Sequence, residues 1–287
     1  LMNELSLSQL NEYRAVTYRT QQTLRLKTPQ EAIRFVEDRG FILFWPAKGI
    51  TMPSLWNAVA GDRPVPDEHD DPGHISWSWK DQLLDKRVWY YGRILKKRNT
   101  IISLQTIPYF YSLSPNFGEP EEEIDDQYRQ GLIPLEVKLI FHALLEKGPL
   151  DTLALRREAH LSGPNSNTPF NRALDILQRE LRVLPVAIAE VGTWRYAFVY
   201  DLTHRYYPEL LEQSRFISEP EARRHILIHY FNSVGAANAK EICSLFGWKL
   251  DEVEKVLANL AKQGVIVQNV KLEDSKGDYA CLSLFFT

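Results

Sequence analysis

Residues 238–264 decide the fold class, and they read NAKEICSLFGWKLDEVEKVLANLAKQG. Asn238 stands three positions before Glu241, which is the spacing of a capping box, so we expect a short helix to begin there and to end at Gly247. Apolar residues then recur every three or four positions, which predicts a second amphipathic helix that ends at the last glycine of the segment. Two helices joined by a short connection predict a helix-turn-helix.

The residues on both sides of this segment complete a winged-helix pattern. An apolar stripe before it, over residues 222–234, predicts a first helix. Two β-rich runs follow it, 265–272 and 279–286, and the polar tip 273–278 separates them. Three helices followed by a β-hairpin are the winged-helix plan, which we predict for residues 211–287.

The same order of elements is predicted upstream, in residues 128–210. A helix that ends at Gly148 is followed by a short helix and then by a third helix with a clear apolar face. The β-rich runs 183–190 and 194–200 come next. Gly148 and Gly235 end equivalent first helices, so the two patterns are offset by 87 residues (235 − 148).

The first 127 residues are predicted to form a third, more elaborate winged-helix unit. Helices are expected at 8–20, 28–39, 53–60 and 76–86. Two β-rich runs, 87–95 and 100–108, then flank a basic turn, and the acidic stretch 119–126 is predicted to be the linker to the second unit. The predicted fold is therefore α+β and mainly helical, with three tandem winged-helix units.

Composition narrows the class of protein. Hydrophobic residues make up 44% of the 287 residues and charged residues 25%, which excludes wholesale disorder. The formal net charge is −3, so any nucleic-acid surface must be a local one. Cys243 and Cys281 are the only cysteines, which excludes a disulfide framework within the chain and fits a reducing cytoplasm. No apolar run approaches about 18 residues, so we expect a cytoplasmic protein without a membrane span.

The strongest local positive feature is the turn Lys96-Lys97-Arg98, with Arg93 nearby. Cations at the tip of a hairpin reach phosphates and displace condensed counterions. The alternative is a solvated turn that blunts an exposed sheet edge. Three adjacent cations exceed what solubility requires, which favours contact with duplex DNA.

The third helix of the second unit offers a further set of side chains that suit base edges and phosphates. These candidates are Asn171, Arg172, Gln178, Arg179 and Arg182. The competing interpretation is an ordinary polar face whose arginines pair with Asp175 and Glu180.

The corresponding helix of the third unit points to a different partner. Its opening turns contain Asp251, Glu252 and Glu254, whose carboxylates would repel phosphates. We therefore predict that the third unit is structural or binds a protein partner.

The loop 67–74, which reads DEHDDPGH, concentrates carboxylates and histidines. Such groups hold divalent metals or act as a general acid and base, so His69, Asp70, Asp71 and His74 are candidates. Their spacing matches no metal motif, and a solvated loop that caps the next helix is the simpler interpretation. We expect no metal and no cofactor. Walker, dinucleotide-glycine, Gly-x-Ser-x-Gly and His-Glu-x-x-His motifs do not occur.

Aromatic residues crowd the first hundred positions. They are Trp45, Trp56, Trp77, Trp79, Trp89, Tyr90 and Tyr91. Stacking on an extruded base is one use for such rings, but burial in the core is the commoner use and the one we predict.

Three features together resemble the AlkZ/YcaQ family of crosslink-repair DNA glycosylases. They are the tandem winged helices with an N-terminal Ser-x-x-Gln-Leu start at Ser6, the segment 39–46 (RGFILFWP) and the run Trp89-Tyr90-Tyr91. The resemblance implies a concave, cation-lined channel that grips duplex DNA and an activity that removes alkylated or crosslinked bases.

The catalytic signature of that family is Gln-x-Gln or Gln-x-Asp shortly after a Gly-Phe-Val-like stretch. Its two polar positions fall on Leu43 and Trp45 here, and neither side chain can hold a water or stabilise an oxocarbenium ion. We therefore expect a DNA-binding relative without the catalytic residues. Two alternatives stay open. One is an active glycosylase, or another base-processing enzyme, with a relocated active site in the 67–74 loop, and the other is a protein-interaction scaffold.

Overall fold

Capping side chains set where several helices of this protein begin. In the computed structural model, which describes residues 4–68 and 70–286, the Asn238 side chain accepts a hydrogen bond from the Glu241 N–H at 2.9 Å. The Glu241 carboxylate accepts one from the Asn238 N–H at 3.0 Å. The predicted capping box is therefore confirmed, and Gly247 ends the helix in a left-handed conformation, as expected.

Helices dominate, and the strands form small sheets, so the α+β class is confirmed. The helices are α1 (Leu7–Thr17), α2 (Pro29–Arg39), α3 (Leu55–Ala60), α4 (Ile75–Leu83), α5 (Ile107–Tyr111), α6 (Pro120–Arg129), α7 (Leu135–Lys147), α8 (Thr152–Glu158), α9 (Asn167–Arg179), α10 (Thr203–Tyr206), α11 (Leu210–Ser214), α12 (Glu219–Val234), α13 (Ala239–Phe246) and α14 (Leu250–Lys262). The strands are β1 (Glu4–Leu5), β2 (Phe41–Leu43), β3 (Trp89–Arg93), β4 (Asn99–Ser103), β5 (Leu150–Asp151), β6 (Val183–Ala189), β7 (Ala197–Leu202), β8 (Ala236–Ala237), β9 (Ile266–Leu272) and β10 (Asp278–Leu282). Within the described residues, no helix combines the length and the apolar character that crossing a membrane requires.

The chain divides into two compact units. The first unit is made of residues 1–77, 101–106 and 219–287, and the second of residues 78–100 and 107–218. The division into three winged-helix units at 1–127, 128–210 and 211–287 stays a prediction.

A four-stranded sheet of the first unit has the order β1-β9-β10-β8. Strands β9 and β10 are antiparallel, and β1 adds to β9 in parallel. Buried residues on this sheet and on α1 form one core cluster: Leu5, Leu10, Ala236, Val270, Leu272 and Cys281. The Arg14 side chain of α1 donates to the Val234 carbonyl at 2.8 Å, which satisfies the end of α12.

In the second unit, α7, α8 and α9 pack with an antiparallel sheet of order β5-β7-β6. The apolar face predicted for the third helix is confirmed, because its residues lie in the core of this unit. That core includes Phe141, Leu144, Phe170, Leu174, Leu177 and Leu202.

The predicted linker 119–126 is wrong, because this stretch forms α6. Pro120 occupies a first-turn position, where its missing N–H costs nothing, and three glutamates follow in the same turn. Acidic side chains there interact favourably with the helix dipole, and Ile124 is fully buried. An acidic run that looked like a linker is therefore the start of a helix.

Several predicted strands are shorter than expected, among them 279–286, which ends at Leu282, and 87–95, which spans Trp89–Arg93. β4 ends at Ser103, and the residues from Ile107 onward form α5 instead. The second strand of the 183–200 hairpin begins at Ala197 rather than at Trp194. Arg195 adopts a left-handed backbone conformation with φ of 50°, which belongs to a turn and not to a strand.

Candidate nucleic-acid interface

In the family that the sequence resembles, the catalytic signature lies in one short segment. The corresponding segment of this chain forms β2 and the residues after it. Gly40 ends α2 with φ of 77°, and a Cβ placed there would lie 2.7 Å from the His229 ring, so glycine is required. Leu43 follows in β2 and is fully buried, and its N–H donates to the Pro53 carbonyl at 2.9 Å. Leu43 therefore contributes only methyl groups, and it contributes them to the core.

Trp45 belongs to an aromatic cluster that it forms with Trp56, His74 and Trp77. Its ring centroid lies 5.4 Å from that of Trp56, 5.9 Å from that of His74 and 6.0 Å from that of Trp77. Trp56 is itself fully buried and donates its indole N–H to the Arg63 carbonyl at 3.1 Å. The prediction of core packing is confirmed for Trp56, and Trp45 packs against it.

The acidic loop is held by an ion pair next to this aromatic cluster. Both Asp71 carboxylate oxygens accept hydrogen bonds from the Arg63 guanidinium, at 2.9 and 2.5 Å, and one of them also accepts the Gly73 N–H at 2.7 Å. The hydrogen bond from Arg63 holds the pKa of Asp71 below its usual value. Asp71 therefore caps the turn that leads into α4, and its oxygens are engaged.

The other candidate catalytic residues of the loop do not come together in one site. His74 packs in the aromatic cluster, Asp70 is exposed, and His69 lies outside the described residues. Across residues 4–68 and 70–286, no three or more His, Cys, Asp or Glu side chains are grouped so that they could hold a metal ion.

A cavity of about 1080 Å³ opens in the first unit beside the residues that follow Trp45. Its lining includes Arg14, Tyr18, Lys48, Met52, Asn57 and Asp62, but neither Leu43 nor Trp45. The buried Tyr18 hydroxyl has no hydrogen-bond partner among the described residues, and burial raises its pKa, so it stays protonated. Sequence analysis could not find this cavity, because its walls come from segments that are far apart in the chain.

The predicted basic turn presents its cations at a strained tip. Lys96 and Lys97 both adopt left-handed backbone conformations, with φ of 50° and 58°, and both are exposed, as is Arg98. Such a turn favours Gly, which lacks the Cβ that costs free energy there, and Asn, whose short polar side chain can hydrogen-bond locally. The Thr100 hydroxyl accepts the Leu95 N–H at 3.3 Å and donates to the Arg98 carbonyl at 2.9 Å, which holds the turn in place.

The structure brings this turn to α9, the helix that carries the second set of candidates. The Arg93 N–H donates to the Gln178 side chain at 3.1 Å, and its guanidinium donates to Asp175 at 3.1 Å. Helical spacing puts Arg172 and Arg179 on the same face of α9 as Asp175. We call this set the basic surface: Arg93, Lys96, Lys97, Arg98, Arg172 and Arg179.

Two of the predicted DNA-contacting residues are not available for that role. Gln178 is 3% exposed and is used by Arg93, and Arg182 is 2% exposed. The Arg182 guanidinium donates to Glu123 at 3.2 Å and to Glu180 at 3.3 Å. A buried guanidinium needs such partners, so Arg182 holds α6 against the end of α9 rather than facing solvent. Asn171 stays exposed beside the basic surface.

Lys80, which no sequence pattern singled out, is buried among aromatic rings. Its ammonium lies 2.6 Å from the Asp81 carboxylate and 2.9 Å from the Tyr196 hydroxyl. It also lies 4.7 Å from the centroid of the Phe198 ring. Burial lowers the pKa of Lys80, although Asp81 opposes that shift. The sequence signal was a lysine directly after two tryptophans, at 77–80.

The acidic opening of α14 is partly neutralised within the chain. Glu252 accepts a hydrogen bond from Arg223 at 2.9 Å, and Lys255 lies 3.4 Å from Asp251. A protein-binding role for the third predicted unit stays a prediction.

Residues 26–247 match the family model described as AlkZ related, which is 222 of the 287 residues (247 − 26 + 1). Among solved structures, the chain is similar to the Streptomyces sahachiroi DNA glycosylase AlkZ, with a TM-score of 0.58 and 11% sequence identity. The match covers 98% of this chain and 71% of that one, and at this identity it shows the fold alone. No curated protein sequence matches the chain significantly. The family resemblance predicted from the sequence is confirmed.

Proposed function

Because this chain belongs to the AlkZ-related family, we propose that it binds duplex DNA and that it lacks base-excision chemistry at the two motif positions. The observation that carries the proposal is the basic surface. Arg93, in the strand before the turn 96–98, bonds to Gln178 and Asp175 of α9, so the β3–β4 hairpin lies against the helix that carries Arg172 and Arg179. Such a set of cations fits successive phosphates of a duplex.

We further propose that the chain is built from three winged-helix units. The order helix–strand–helix–helix–strand–strand occurs three times, as α2-β2-α3-α4-β3-β4, α7-β5-α8-α9-β6-β7 and α12-β8-α13-α14-β9-β10. In this arrangement the basic turn is the wing of the first winged-helix unit, and α9 is the third helix of the second winged-helix unit. Wings and third helices are the elements with which helix-turn-helix proteins contact DNA.

The loss of excision chemistry follows from the two motif positions. A glycosylase must stabilise positive charge on the sugar and present water to it. Leu43 is fully buried and apolar, and the Trp45 indole can donate one hydrogen bond but accept none. Asp71, a candidate carboxylate of the acidic loop, is bound by Arg63 and caps a turn. The scaffold therefore supports binding better than it supports catalysis.

The DNA-binding proposal is tested by the salt dependence of affinity. We expect the triple variant Lys96→Ala, Lys97→Ala, Arg98→Ala to bind duplex DNA more weakly. Its log–log salt dependence should be flatter by roughly 2 to 3, because each lost phosphate contact removes about 0.9. Fluorescence anisotropy over a series of salt concentrations measures both quantities.

A matched variant separates a local contact from a change in net charge. The control removes three positive charges from exposed positions on α13 and α14. It is the triple variant Lys240→Ala, Lys255→Ala, Lys262→Ala. We expect this control to keep the wild-type slope. Absence of salt-dependent binding by the wild type, or equal losses in the two triple variants, would contradict the proposed surface.

A further inference from the structure

Trp194 is almost fully exposed to solvent at the tip of a β-hairpin. It is 88% exposed and lies in the turn between β6 and β7. Tryptophan is buried in most folded proteins because its ring carries a large apolar area. An indole displayed in this way is typical of a residue that contacts a partner.

The backbone turn that carries Trp194 is closed by contacts among its own residues. The Arg195 N–H donates to the Gly192 carbonyl at 3.1 Å, and the Arg195 guanidinium donates to Glu190 at 2.7 Å. Gly192 and Arg195 both have positive φ, as a tight reversal of the chain requires. A closed turn of this kind loses little conformational entropy when it binds.

The start of β7 is fixed to the body of the second unit by the buried Lys80. Tyr196, two residues after Trp194, donates its hydroxyl to Asp81 at 2.9 Å and accepts a hydrogen bond from Lys80 at the same distance. The Lys80 ammonium also packs over the rings of Phe198 and Tyr91. These contacts provide partners for the buried ammonium and attach the start of β7 to α4.

The chemistry of the hairpin tip favours a nucleobase over a protein surface as the binding partner of Trp194. One ring beside an ion pair is far smaller than the apolar area of a stable protein interface. A two-stranded β-ribbon fits the major groove of duplex DNA, and an apolar wedge can enter between base steps. Stacking on an aromatic ring is available to every base and needs no sequence-specific contact.

We propose that Trp194 stacks on an unpaired nucleobase, so that the protein prefers duplex DNA containing an unpaired base over an intact duplex. This inference rests on the proposed function, because it assumes that the protein binds DNA. It adds a class of substrate, distorted duplexes, and a residue that recognises them.

The test compares two short duplexes that differ by one extra, unpaired adenine in one strand. We expect the wild type to bind the bulged duplex roughly tenfold more tightly. Trp194→Ala should lose this preference, and Trp194→Phe should keep most of it, because phenylalanine retains a ring. The salt dependence of Trp194→Ala should equal that of the wild type, because the indole carries no charge.

Phe216→Ala is the matched control, since Phe216 is 85% exposed and lies in the same unit. We expect it to retain the preference for the bulged duplex. Equal binding of both duplexes by the wild type overturns this inference and leaves the proposed function standing, and so does an unchanged preference in Trp194→Ala. No binding of either duplex overturns the proposed function and this inference with it.

Discussion

His225 and His229 lie one helical turn apart on α12, with ring centroids 4.8 Å apart. Burial lowers the pKa of His225 to about 4, and the neighbouring His229 and Arg224 act in the same direction. Burial also lowers the pKa of His229, with Arg39 adding to the effect. Both rings are therefore neutral in the folded protein at a pH where histidines of an unfolded chain already bind protons.

The free energy of unfolding should fall as the pH drops from about 6.5 to about 4. In this window the unfolded state binds more protons than the folded state, so acidification favours unfolding. We expect His225→Gln to reduce this loss by roughly 2 kcal/mol, measured by urea unfolding at several pH values.

His160→Gln provides the comparison, because His160 is exposed. The same urea series is run on this variant, and the losses of stability of the two variants on acidification are compared. If His225→Gln lost stability on acidification as steeply as the wild type, His225 would not be the group responsible.

At the scale of elements, the turn between β3 and β4 has lysines at backbone positions where they lower the stability of the fold. Two consecutive lysines in left-handed conformations are unfavourable relative to Asn-Gly by about 1 kcal/mol or more for each residue. The strand before this turn bonds to α9 through Arg93, and the turn carries the cations that the proposed function uses. Strain that persists at an exposed turn is typical of a functional site.

The variant Lys96→Asn, Lys97→Gly should therefore be more stable and bind DNA more weakly. We expect the free energy of unfolding to rise by about 1 to 2 kcal/mol, because the strained positions receive residues that tolerate positive φ. We expect the salt slope of DNA binding to flatten by roughly 2, because two phosphate contacts are lost. Urea unfolding and anisotropy titrations measure the two effects separately. A variant that gained stability with unchanged DNA affinity would show that the turn is only a solvated edge.

At the scale of the whole molecule, the formal net charge of −3 conceals how the charges are distributed. Several carboxylates are bound inside the fold, such as Glu123 and Glu180 by Arg182 and Asp71 by Arg63. All the residues of the basic surface belong to the second compact unit (residues 78–100 and 107–218), where Asp175 is paired with Arg93. An overall acidic protein can therefore carry a local DNA-binding surface.

The whole chain is expected to bind DNA without releasing bases from it. We expect no release of alkylated bases under single-turnover conditions with the protein in excess over N7-methylated duplex DNA, because the motif positions are Leu43 and Trp45. Chromatography of the free bases, without heating the DNA, detects release. Robust excision by the unmodified chain that was abolished by Asp70→Asn or Asp71→Asn, but not by Trp45→Phe, would mean that the active site had moved to the acidic loop.

The local features of this protein follow from residues that are neighbours along the chain. The capping box at Asn238, the apolar face of α9 and the basic turn at 96–98 could all be predicted, because caps and amphipathic faces involve residues within one or two helical turns. The family could be predicted as well, since the segment 39–46 and the run 89–91 are contiguous in the sequence.

Tertiary structure alone decided which of these side chains are accessible. Arg182 is buried because Glu123, 59 residues away, lies beside it, and Lys80 is buried because Tyr196, 116 residues away, closes over it. The same is true of the contact between Arg93 and α9, which joins two candidate sites into one surface. Burial and pairing depend on residues that the fold brings together, and a single sequence carries no local signal for them.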